Sequence, residues 1–285
     1  MTRIAWRLTC VILSLGALAR AADPPPKSAG GDDQIASDAA KKERLAFLAE
    51  TFASYSLSTP GRSEQPFAHS GEPLLRFNNP VRQAFSDAAV FLWLDDGRPR
   101  AAATIAIRSK GQVSREFTSL SSEPLECRGK AGERWLPKSA GLAEQDLPDA
   151  PAPKASDKLR LIQMGQLARR FRVVMKETAT NEQSELRLMS RPIYRFAAEK
   201  AGIIDGALFA FAEGTDPEAL LLLEAVRGAG ESLEWRYTLA RMTARPLDAE
   251  LDGRQIWSVL GFWDNPRSPS DPYIEMIRGT YPLTP

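Results

Sequence analysis

One histidine in 285 residues removes much of the familiar catalytic repertoire. Zinc sites of the HExxH kind and multi-histidine copper or iron sites need ligands that this chain does not have. A Ser-His-Asp triad could use only His69, in the loop QPFAHSGEP, and no G-x-S-x-G elbow offers a nucleophile. Phosphate-cradling loops are missing too. There is no P-loop, and Gly228-Ala-Gly230 lacks the third glycine and following helix of a dinucleotide site, so it reads as a hairpin turn. No cofactor and no metal is therefore expected, and His69 is expected to have a surface or loop role.

Cysteine is nearly as scarce, with Cys10 and Cys127 the two in the chain. Apolar runs long enough to span a bilayer, about 20 residues, are also missing. The run at 8–19 follows Arg3 and Arg7 and leads to Ala19-Arg20-Ala21, a small-x-small site, which is the anatomy of a secretory signal. The expectation is cleavage near Ala21, no transmembrane segment afterwards, and export to the periplasm or beyond. Cys10 would leave with the signal; its place early in the apolar run argues against lipidation. Cys127 would then be a lone thiol, expected to be a buried small hydrophobe.

An excess of either charge is lacking as well. The formal net charge is +1, and without Arg3, Arg7 and Arg20 the 34 remaining basic residues face 36 acidic ones, giving −2. No global field would draw such a chain to nucleic acid, and none is expected as a partner. With 43% hydrophobic and 26% charged residues, the chain has ordinary globular composition.

Residues 22–33 are rich in Pro and Gly and read as a flexible leader. Leu45, Leu48, Phe52 and Tyr55 recur at spacings of three and four, which predicts a helix over 34–55. Short strands are expected at 74–77, 89–94, 100–108 and 112–120, with Asp96-Gly97 as a hairpin turn. The Pro- and Ala-rich stretch 137–155 reads as a linker. A second helix is expected at 156–169, then strands at 170–176, 185–191, 207–213, 219–226, 233–241 and 255–260. The segment 89–108 parallels 207–227, and Pro124-Leu125 precedes Trp135 as Pro246-Leu247 precedes Trp257, which suggests an internal repeat. The expected fold is α+β: two tandem helix-plus-antiparallel-β-meander units (34–136 and 156–285), rolls of cystatin-like or NTF2-like architecture, with sheets partly packed together.

In FLWL (91–94) and LLLL (220–223) large apolar side chains project from both faces, because successive strand residues alternate sides. Both faces must be covered, by the other half or by a second copy, so a homodimer is possible. The hairpin 170–191 differs. Phe171, Val173, Met175, Leu186 and Leu188 form an apolar face, whereas Arg170, Arg172, Lys176, Arg187 and Arg191 form a basic one. A turn at Thr180-Asn181 would set Arg170 near Arg191, a repulsion that an anionic group could relieve. Phe262, Trp263 and Tyr273, among Pro, Asn and Ser, are further candidate contacts. Trp93, Trp235 and Trp257 are expected in the core.

At 185–196, 205–225 and 235–247 the chain resembles a family of exported bacterial proteins of unassigned function. The resemblance implies export and a shared fold, and carries no chemistry onto any residue. The expected function is a non-catalytic exported binding protein of the cell envelope. It would hold an envelope component or a small anionic or apolar ligand in the groove between units, or through Arg170, Arg172, Arg187, Arg191, Trp263 and Tyr273. The alternative is a carboxylate-dependent hydrolase acting on envelope polysaccharide through two of Asp95, Glu116, Glu123, Glu213 and Glu224.

Overall fold

The computed structural model describes residues 31–78, 85–177, 180, 182–228, 230, 232–264 and 268–282. The expected signal, and the expected leader up to residue 30, lie outside them. Two compact units divide the chain, Met1–Ala40 and Lys41–Pro285, and of the first only the opening turns of a helix are described.

That helix is α1 (Gly31–Ala53), followed by β1 (Tyr55–Ser58), β2 (Ala68–His69), β3 (Leu75–Phe77), β4 (Phe85–Asp95), β5 (Arg98–Arg108), β6 (Gln112–Ser119), β7 (Glu126–Gly129), β8 (Arg134–Trp135) and β9 (Leu142–Asp146). Then come α2 (Asp157–Ala168), β10 (Phe171–Lys176), β11 (Gln183–Glu185), β12 (Arg187–Leu188), β13 (Tyr194–Ala198), β14 (Ile203–Glu213), β15 (Asp216–Arg227), β16 (Leu233–Arg241), β17 (Leu247–Leu251), β18 (Arg254–Val259) and β19 (Tyr273–Thr280). Turn chemistry sets the long hairpins: Asp96 and Gly97 both take positive φ, 49° and 85°, the primed turn that matches strand twist.

The described strands form four sheets. One large sheet runs β19-β6-β5-β4, with β2 and β3 both on the outer side of β4; the other runs β9-β16-β15-β14, with β12 and β13 on β14. The small sheets are β1-β7-β8 and β11-β10-β17-β18. This overturns the α+β expectation of two helix-plus-meander rolls. Half of the described residues are in strands and 15% in helices, so the fold is β-rich. Nor does the chain form an internal repeat of self-contained units. β9 arises within the stretch expected as a linker and pairs with β16, whereas the C-terminal β19 crosses back to pair with β6. Apolar stripes at helical spacing occur at only two places, and the long two-faced strands demand sheets on either side instead.

Three cores result. Phe91 and Trp93 of β4 join Leu48 and Phe52 of α1 and Leu57 of β1. Leu92 points the other way and meets Leu208, Leu220 and Leu222, so the two large sheets face each other. Leu221 and Leu223 project into a third core with Met164 of α2 and Val173 of β10. At about 25 cal/mol per Å² of apolar area, leaving those four leucines wet would forfeit on the order of 5 kcal/mol. The strands expected to be covered by the other half or by a second copy are thus covered within one chain. A buried, two-pronged ion pair also links the large sheets: Arg98 of β5 donates to both carboxylate oxygens of Glu224 of β15, at 2.7 and 2.8 Å. Among the described residues no helix is long and apolar enough to cross a membrane.

Candidate functional site

The basic hairpin face does not converge. β10 pairs β11 only through Glu185, with Val174 opposite that residue, and the chain then leaves for the large sheet, where Arg187 pairs with Ala212. The expected opposition of Arg170 to Arg191 is therefore not formed. Arg170 forks onto Asp252 and donates to the Pro148 carbonyl at 2.8 Å, and Asp252 lowers its own pKa by accepting those bonds. Arg172 pairs with Glu185 at 2.8 Å and Glu250 at 3.4 Å. Arg187 donates to the Gly214 carbonyl at 2.9 Å, and Arg191 stands exposed in the turn before β13. The hairpin's apolar face does form: Phe171, Val173, Met175 and Leu186 are core, with Leu188 against it.

Trp263 and Tyr273 are brought together. A short 3-10 turn, Phe262–Asp264, leaves Trp263 44% exposed while Phe262 is buried. Phe262 meets both Trp263 and Tyr273 edge-on, with ring centroids 5.2 Å apart in each case. Beside them opens a cleft of about 280 Å³, walled by Trp257, Leu260, Phe262 and Tyr273 with Arg241 in its lining. Leu260 is 67% exposed at its mouth. Trp257 lies on β18, where its indole donates to the Gly141 carbonyl at 3.2 Å.

Arg241 ends β16, whose preceding residues Leu239 and Ala240 are fully buried, and it is itself only 7% exposed. Its Nε, Nη1 and Nη2 donate to the carbonyls of Thr243, Leu260 and Arg245, each at 2.7 Å, and the guanidinium lies 5.0 Å from the Tyr273 ring centroid. No carboxylate among the described residues lies within ion-pair distance of it, unlike Arg98 and Arg100. Burial accordingly pulls its pKa below the usual guanidinium value. A guanidinium has five N–H groups, so donors remain on Nη1 and Nη2.

Behind the aromatic wall, Tyr273 donates from its hydroxyl to Glu116 at 2.8 Å. Burial, then the nearby Glu275 and Asp216, push the Glu116 carboxyl well above the ordinary carboxylate range. Burial and Glu116 likewise raise the Tyr273 phenol. Glu275, directly opposite Glu116 in the ladder, accepts from Arg108 at 3.1 Å and from the Trp263 indole at 2.9 Å. Asp271 also lines the cleft, and its charge, with that of Glu116, partly offsets the effect of burial on Arg241.

Of the acids named for hydrolysis, Glu224 is held by Arg98, Glu123 by Arg100 at 2.7 Å, Asp95 is exposed at the end of β4, Glu116 lies behind Tyr273, and Glu213 ends β14 opposite Asp216. No group of three or more His, Cys, Asp or Glu among the described residues could hold a metal ion. His69 is not a surface loop residue: it sits on β2 opposite Trp93, half-buried against Phe52, with Nε2 3.1 Å from the Tyr55 carbonyl. Burial lowers its pKa. Cys127 is a buried core residue whose thiol is pushed far up by desolvation. The residue missed in the sequence is Arg241; its one signal is a cation closing the apolar run YTLA. No family profile, characterised protein or solved structure matches the chain.

Proposed function

We propose that the protein is a non-catalytic binding protein whose cleft beside Arg241 takes a small ligand with a carboxylate head and an apolar body. One observation carries the reading: a buried guanidinium that lines an aromatic cleft and has no carboxylate within ion-pair distance among the described residues. Burying an unpaired charge costs several kcal/mol, part of which an anionic ligand recovers. The donors remaining on Nη1 and Nη2 suit a carboxylate, and Trp257, Leu260 and Phe262 suit a flat or branched apolar body. A volume of about 280 Å³ lies at the small end of ligand pockets, which favours a single ring or a short chain. The arginine-flanked apolar run at 8–19 supports an exported setting, such as the cell envelope.

The test is thermal unfolding of the protein with matched acid and amide ligands, such as phenylacetate and phenylacetamide. The acid is expected to raise the melting temperature and the amide to leave it unchanged, with the acid's effect lost in Arg241→Gln. Because that variant removes three carbonyl contacts, Leu260→Asp at the mouth serves as a second probe and should also abolish the shift. Equal responses to acid and amide would remove the reading.

A further inference from the structure

The cleft beside Arg241 holds a charge of the opposite sign. Asp271 lines it from the turn that leads into β19. The backbone fixes its place: Asp271 N donates to the Ser268 carbonyl and Ser268 N to Asp271 Oδ2, each at 3.1 Å. The Asp271 carbonyl accepts from the Trp135 indole at 2.8 Å, and the next carbonyl, of Pro272, accepts from Ser119 N at 2.8 Å. Oδ1 of this half-buried aspartate has no hydrogen-bond partner among the described residues.

Arg241 is fixed independently, by the carbonyls of Thr243, Leu260 and Arg245. Asp271 is near enough for its charge to act on the guanidinium, yet no ion pair joins the two among the described residues. Opposite charges in a partly buried site gain by closing to contact. The carbonyl cradle around Arg241 and the Ser268 amide on Asp271 hold these two apart. The cleft therefore presents N–H donors on Nη1 and Nη2 and one carboxylate oxygen, beside walls made by Trp257, Leu260 and Phe262.

We infer that the ligand is a free amino acid with an apolar side chain. The inference rests on the carboxylate reading of the cleft and extends it. The ligand carboxylate meets the remaining Arg241 donors, its ammonium meets Asp271 Oδ1, and its side chain lies along the apolar wall. One zwitterion thus answers both protein charges and brings no net charge into the site. A simple carboxylic acid would satisfy Arg241 but set a second anion beside Asp271, and a simple amine would set a second cation beside Arg241. A cleft of about 280 Å³ suits a single amino acid.

Isothermal titration calorimetry on the whole protein at neutral pH tests this with L-phenylalanine, 3-phenylpropanoate, which lacks the amino group, and 2-phenylethylamine, which lacks the carboxylate. Phenylalanine is expected to bind about tenfold more tightly than either, the ratio that one charge-assisted contact gives. Asp271→Asn keeps an oxygen for the Ser268 amide and removes the charge. It should bring phenylalanine and 3-phenylpropanoate within about twofold of each other. If that variant fails to fold, the ligand comparison on the unaltered protein decides. Phenylalanine binding no better than 3-phenylpropanoate, or keeping its tenfold advantage in folded Asp271→Asn, would overturn the amino-acid assignment and leave Arg241 as a carboxylate site. Binding of none of the three, or of the amine as tightly as phenylalanine, would remove the carboxylate reading as well.

Discussion

A carboxyl held protonated inside a protein leaves a signature in the pH dependence of stability. Glu116, raised by burial and by Glu275 and Asp216, keeps a proton that the unfolded chain releases near the ordinary carboxylate value of 4.5. Its contribution to stability is complete below that value and is lost as pH rises toward the folded-state value. The slope over that window is at most about 1.4 kcal/mol per pH unit for one proton. Glu116→Gln keeps an acceptor for the Tyr273 hydroxyl and removes the titration. Urea unfolding from pH 5 to 8 should show the variant gaining on the wild type as pH rises, whereas a constant difference would refute the protonated state. The Arg98 and Glu224 pair behaves differently because both charges are buried and matched. Glu224→Leu alone should cost about 3–5 kcal/mol in denaturant unfolding, and adding Arg98→Met should recover most of it; additive losses would show that the pair does not act as a unit.

At the scale of elements, the strands closing the large sheets matter most. β9 places Leu142 opposite Leu239, and the glycine before it, Gly141, lies against Trp257. A Cβ there would stand 2.8 Å from the indole ring and 3.3 Å from the Leu239 carbonyl. Gly141→Ala should therefore cost about 1–3 kcal/mol, and it should shift Trp257 fluorescence by moving a cleft wall; an unchanged spectrum and stability would contradict this packing. These elements also show what a sequence can disclose. The hairpins β4-β5 and β14-β15 were legible because apolar runs are bounded by turn residues, and β16 is found over its full predicted span of 233–241. β9, with the sequence LAEQD, is short and polar enough to pass as linker, and its strand state comes from pairing with β16. The predicted strand 185–191 is split because its residues serve two sheets. In the site, Trp263 and Tyr273 were legible as aromatics among turn residues. Arg241 was not, because its partners are backbone carbonyls and the Tyr273 ring, which no residue pattern encodes.

For the molecule as a whole, one large sheet takes β9 from the stretch expected as a linker and the other takes the C-terminal β19 from the far end of the chain. The core between these sheets joins Leu92 and Ala102 to Leu220 and Leu222. Neither half can then melt while leaving the other's sheet and core intact. Unfolding of residues 41–285 should give coincident transitions by far-UV and near-UV circular dichroism; two separated transitions would indicate independent halves. The functional reading rests on the cleft where β16, β18 and β19 come together around Arg241. Its most direct test is a titration of ¹⁵N-labelled protein with a small aromatic carboxylate, reading the Arg241 Nε–H and Trp257 Nε1–H signals. The account predicts that both shift saturably with one common dissociation constant while those of Arg170 and Arg172 stay still. Movement at Arg170 and Arg172 with Arg241 unchanged would contradict it.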